Sequence, residues 1–117
     1  MKMTIEEIII QQQEFDSNYK GKFNWNQIID NEHLEILEFL LLSMVGEFGE
    51  ATNIVKKVIR GDKTLEEVKD DLSEEIIDIF IYVIKLIYQL DIDLDKVYSA
   101  KMEKNKIRFK EYESDKI

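Results

Sequence analysis

Glu47-x-x-Glu50 and Glu75-x-x-Asp78 are two acidic pairs, each spaced so that both carboxylates share one face of a helix. Their surroundings are mostly Ile, Leu, Val and Phe. An anionic carboxylate kept from water is unstable unless it protonates, pairs or binds metal. A hard divalent cation is the economical partner. Four convergent oxygens suit Mg2+ or Mn2+ and leave positions open for water and phosphate oxygens. A cationic constellation lies further on, where Lys101, Asn105 and Arg108 fall at i, i+4 and i+7 with Lys104 beside them. Such a face is either an ordinary solvated surface or, next to an acidic metal site, a holder for the outer phosphates of a nucleotide. Lys56, Lys57, Arg60 and Lys63 form a second basic cluster, read mainly as solvated.

Four helices would have to position these groups. Thr4-x-x-Glu7 has the form of a capping box and opens a helix over about 4–19. Residues 21–30 lack periodicity and read as a loop carrying Phe23 and Trp25; either ring could stack on a nucleobase or pin the loop to the core. Asp30 or Asn31 can cap a second helix over about 32–60, which Gly61 stops. On it Leu37, Leu41, Met44, Phe48, Ala51, Val55 and Val58 form the expected core seam, and Glu47 and Glu50 interrupt a neighbouring track of Ile36, Leu40, Ser43 and Ile54. Thr64-x-x-Glu67 repeats the capping box before a helix over about 65–90, with a possible break at 70–73. Its polar track of Asp71, Glu75, Asp78, Tyr82, Lys85 and Gln89 is either the solvated face or part of a site. A last helix follows Asp91 or Asp93 and runs over about 94–112. His33, the one histidine, reads as a surface residue at a helix start.

The chain of 117 residues predicts one domain, 1–117, with an all-α architecture, since it has no proline, four glycines and abundant Ile, Leu, Glu and Lys. The absence of cysteine excludes a disulfide framework and a thiolate metal site, and a cytoplasmic setting is the default. Thr4, Glu6 and Glu7 interrupt any secretory leader, and acids break each apolar stretch before the roughly 20 residues of a membrane span. A net charge of −9 disfavours nucleic acid as a partner.

The order of Glu47-Phe48-Gly49-Glu50-Ala51, Glu75-Ile76-Ile77-Asp78 and then Lys101-Met102-Glu103-Lys104-Asn105-Lys106-Ile107-Arg108-Phe109 resembles the MazG-like all-α nucleoside triphosphate pyrophosphohydrolases over about residues 34–109. One departure is Gly46, where many relatives carry an additional acid. The resemblance implies a four-helix bundle of the MazG-like type in which Glu47, Glu50, Glu75 and Asp78 ligate Mg2+. It implies that Lys101, Lys104, Asn105 and Arg108 meet phosphate or sugar, and that the chain assembles as a homodimer or homotetramer. The implied chemistry is cleavage of a nucleoside triphosphate between its α- and β-phosphates, in nucleotide-pool house-cleaning, with Glu47 or Glu50 nearest the attacking water. Phosphoribosyl-ATP pyrophosphohydrolase, which breaks the same bond, is the neighbouring possibility.

Two other classes compete. A di-iron carboxylate bundle needs a Glu-x-x-His pattern on each of two helices, which a single histidine cannot supply. A non-catalytic acidic bundle serving as a protein-interaction module would leave the four acids solvated and use the apolar surplus as its interface.

Overall fold

A computed structural model of the chain describes residues 2–114, so the ends of the expected domain, residues 1 and 115–117, lie outside the described residues. The fold is all-α: α1 (Ile5–Ser17), α2 (Leu34–Ile59), α3 (Leu65–Gln89) and α4 (Leu94–Arg108), followed by a 3-10 turn at Lys110–Tyr112. Both expected capping boxes form. Thr4 Oγ1 accepts from Glu7 N at 3.1 Å and Thr64 Oγ1 from Glu67 N at 3.3 Å, and each glutamate reaches back to its threonine N–H. Gly61 ends α2 at φ 83, a backbone conformation that a Cβ disfavours.

Two local expectations change and a third is narrowed to one of its alternatives. Neither Asp30 nor Asn31 caps α2: the cap position is His33, without a side-chain cap bond, while Asp30 Oδ1 accepts from Glu32 N and sits 2.7 Å from His33 Nδ1. The helix start is thus tied by the turn before it. Of the two aspartates before α4, Asp93 is the cap and accepts from Lys96 N at 3.1 Å. No break occurs at 70–73, because Ser73 turns its hydroxyl back to Lys69 O and α3 runs on.

α3 packs along α2 and, less extensively, against α1. The expected seam on α2 is only partly inward: Leu37, Met44, Ala51 and Val58 are half-buried but Leu41, Phe48 and Val55 are exposed, and the buried residues are Ile36 and Leu40 of the neighbouring track with Ile29, flanked by Phe23, Leu37, Tyr82 and Leu86. On α3 the polar track turns inward toward its C-terminal end, while Asp71 and Asp78 stay exposed. Lys85 and Gln89 are buried and Glu75 and Tyr82 half-buried, while Ile76 and Ile77 face out. The inward polar track is tolerable because Lys85 and Gln89 find partners on α1 and the α1–α2 loop. That loop folds back at an antiparallel bridge between Lys20 and Asn24 and returns to α3, where Ile29 N donates to Gln89 O at 2.8 Å.

α4 makes its principal contacts with the 3-10 turn that follows it and not with α2 or α3. The radius of gyration, 18.1 Å, exceeds the roughly 13 Å of a compact chain of this length. Among the described residues no helix is long and apolar enough to cross a membrane.

Candidate metal centre and its cleft

Glu47 belongs to the same helical track as the buried Ile36 and Leu40, so the packing that buries those residues also turns its carboxylate toward α3. Glu75 and Asp78 sit one turn apart on the facing stretch of α3. The three residues each offer an oxygen within 4.8 Å of the others. Glu50 lies one turn beyond Glu47, exposed at the rim and close enough to hydrogen-bond Glu75. Three of the four acids named from spacing therefore converge on one point, and Glu50 lies beside them at the rim.

Electrostatics in this group are unfavourable as it stands. No lysine, arginine or histidine among the described residues pairs with any of the four acids. Glu47 Oε2 and Glu75 Oε2 are closed to solvent and receive no hydrogen bond from a side-chain or backbone donor among the described residues. Sharing a hydrogen bond with Glu75, and then Coulomb repulsion from it, pushes the Glu50 carboxyl above the ordinary glutamate range. Glu75 is pushed up as well, first by its hydrogen bond with Glu47 and then by burial. Orphaned carboxylate oxygens in a hard-donor set fit Mg2+ or Mn2+: three oxygens from two helices would leave roughly half of an octahedral shell free.

A cleft of about 730 Å³ opens beside the acids. Glu47 and Asp78 line one end. Phe15, Phe23, Trp25, Phe39 and Ile81 supply apolar walls, and Asp16, Lys85 and Gln89 lie toward the other end of α3. Trp25 stacks on Tyr19 with centroids 4.9 Å apart, and Phe23 packs at 5.1 Å from Phe39. Both aromatics singled out in the loop thus stand in the cleft wall, Phe23 half-buried and Trp25 exposed.

The polar group that holds this wall was not legible in the spacing. Asp16, 1 % exposed, accepts from Lys85 Nζ at 2.8 Å, from Gln12 Nε2 at 3.0 Å and from the Tyr88 hydroxyl. Lys85 also donates to Trp25 O at 3.2 Å and lies 5.6 Å from the indole centroid. Burial, and then the bond to Asp16, hold the Tyr88 phenol far above its usual range, so it stays a donor. The only hint in the sequence is the i, i+4 spacing of Gln12 and Asp16 on α1 and of Lys85 and Gln89 on α3.

Lys101, Lys104, Asn105 and Arg108 stand on α4, away from this cleft, with Asn105 half-buried and the cations exposed; Arg108 lies over the Phe109 ring at 5.0 Å. The structure brings the four acids together and places the basic face elsewhere within one chain.

No family model matches the chain, and no solved structure matches it. The Gene 37 protein of Mycobacterium phage L5 is similar to it, 36% identical over 77 residues, which cover 64% of this chain and 68% of that protein.

Proposed function

We propose that this chain, which belongs to the family of the Gene 37 protein of Mycobacterium phage L5, is a MazG-like pyrophosphohydrolase that cleaves nucleoside triphosphates between the α- and β-phosphates. The observation that carries this reading is the convergence of Glu47, Glu75 and the exposed Asp78 beside an aromatic-walled cleft, with one buried oxygen of Glu47 and one of Glu75 lacking a donor among the described residues. Mg2+ or Mn2+ bound there would neutralise phosphate charge and acidify a water.

The chain's own residues account for the rest. Glu47, Glu75 and Asp78 provide the fixed negative group that would hold a divalent cation, and only through that cation can a polyanionic phosphate approach them. Glu50, exposed at the rim one turn from Glu47 and outside the tight three-acid group, is the best-placed acceptor for the proton of the attacking water. As the water oxygen bonds to phosphorus, the α–β bridge breaks and pyrophosphate leaves as monophosphate forms. The aromatic wall around Phe23 and Trp25 offers a stacking surface for the base, which is tolerant of base identity.

Lys101, Lys104, Asn105 and Arg108 would stabilise charge on the leaving pyrophosphate of a neighbouring copy, within a homodimer or homotetramer. Leu42 and Val45 on α2 and Ile76 and Ile77 on α3 are exposed apolar side chains that a second copy could cover, and α4 makes its principal contacts with the turn that follows it. The same exposed side chains also fit a non-catalytic interaction module. A panel of NTPs and dNTPs with Mg2+ or Mn2+, resolving pyrophosphate from orthophosphate, decides between them: monophosphate plus pyrophosphate is expected, and absence of any turnover by the assembled protein overturns the enzymatic reading.

A further inference from the structure

Gln89 is a buried, anchored polar side chain in the cleft lining, and its anchoring leaves one atom over. It is 1 % exposed; its Nε2 donates to Gln27 O at 2.8 Å, and its backbone carbonyl accepts from Ile29 N at 2.8 Å. The Nε2 bond orients the amide, so that Oε1 is the end left over. Oε1 is closed to solvent and accepts no hydrogen bond from any of the described residues. A buried acceptor in that state is unfavourable until a donor reaches it. Attaching the α1–α2 loop to α3 needs only the donor half of this amide.

The position of Gln89 says what the donor belongs to. It lines the same cleft as Glu47 and Asp78 but lies about 16 Å of helix rise beyond Asp78 along α3. Lys85, one turn before it, already directs its ammonium to Asp16 and the Trp25 carbonyl. A ligand anchored at the acids by phosphate, with its flat end against the aromatic wall, directs that end toward Gln89.

We propose that Gln89 is a specificity-determining residue whose Oε1 accepts a hydrogen bond from an edge N–H of the nucleobase, an inference that rests on the nucleotide reading above. Oε1 is closed to water in the free protein, so the bond forms as the base displaces cleft-wall side chains, and solvent does not compete for it. A site built to pair a substrate N–H rejects the analogue that lacks it, because the protein group is then left unpaired.

The test uses whichever standard nucleotide the protein hydrolyses best, beside an isosteric analogue with C–H in place of the base's edge N–H. Wild type should lose on the order of ten- to hundredfold in kcat/KM on the analogue, and Gln89→Met should treat the two alike. Equal turnover of both by wild type overturns the proposal while leaving the hydrolase standing, as does undiminished discrimination by Gln89→Met. If wild type neither binds nor hydrolyses any triphosphate with Mn2+, the nucleotide reading fails and this inference with it. Should Gln89→Met not fold, the side-chain amide resonances of Gln89 take its place. A non-hydrolysable triphosphate with the intact base should shift them and its C–H counterpart should not; an equal response to both overturns the proposal.

Discussion

Lys85 Nζ lies 2.8 Å from Asp16 Oδ2, with the side chains only 10% and 1% exposed, and this ion pair joins α3 to α1 across 69 residues of chain. Because Lys85 also holds the Trp25 carbonyl, the same contact fixes the loop that walls the cleft. Removing one partner leaves a buried charge uncompensated. Lys85→Met should therefore destabilise the fold by about 3–5 kcal/mol, measured by urea unfolding. The double variant Asp16→Leu with Lys85→Met should recover much of that loss, and a simple sum of the two single losses would mean that the groups do not interact.

Metal binding should be visible without any substrate. Titrating Mn2+ or Mg2+ should raise the thermal midpoint, by the equivalent of about 2.7 kcal/mol at a hundredfold excess over Kd. Glu47→Gln and Asp78→Asn should abolish the response while leaving the ion pair at Asp16 intact. An unchanged response in both variants would place the metal elsewhere.

The acid cluster also sets a pH dependence in metal-free protein. Glu50 and Glu75 hold protons to higher pH folded than unfolded, so the folded state binds more protons between the ordinary glutamate pKa and their raised values. Stability should fall as pH rises through that window and recover as pH drops back through it. Asp30, lowered chiefly by its bond with His33, and Glu67, lowered chiefly by the Thr64 N–H, act oppositely. Their contribution is present above the ordinary carboxylate range and lost below it. Unfolding curves in chelator across the acid range should show both slopes, with Glu75→Gln removing only the upper one.

Glu50→Gln should reduce kcat by on the order of 10²–10⁴ while Mn2+ still stabilises the protein. Full turnover in this variant would take Glu50 out of proton transfer. A loss of Mn2+ stabilisation equal to that of Glu47→Gln would make it a ligand instead.

If α4 serves a neighbouring copy, two inactive variants should complement. Glu47→Gln carries an intact basic face, and Arg108→Ala carries intact acids. Mixing them after subunit exchange should restore part of the wild-type rate, and no recovery would confine each site to one chain.

The amino-acid sequence alone determined what local rules control. Thr4 and Thr64 start helices because hydroxyl and carboxylate satisfy the first free N–H groups, Gly61 stops one because its φ is positive, and Glu-x-x-Glu and Glu-x-x-Asp share a face because a helix turns every 3.6 residues. Periodicity states which residues share a face, but not which face is inside. Only the tertiary structure decided that the Lys85 and Gln89 end of the polar track of α3 points inward and that Ile36 and Leu40, rather than Leu41 and Phe48, form the core. The choice depends on partners far away in sequence: Asp16 and the loop carbonyls neutralise Lys85 and engage Gln89, which removes the penalty that would otherwise keep that track in water.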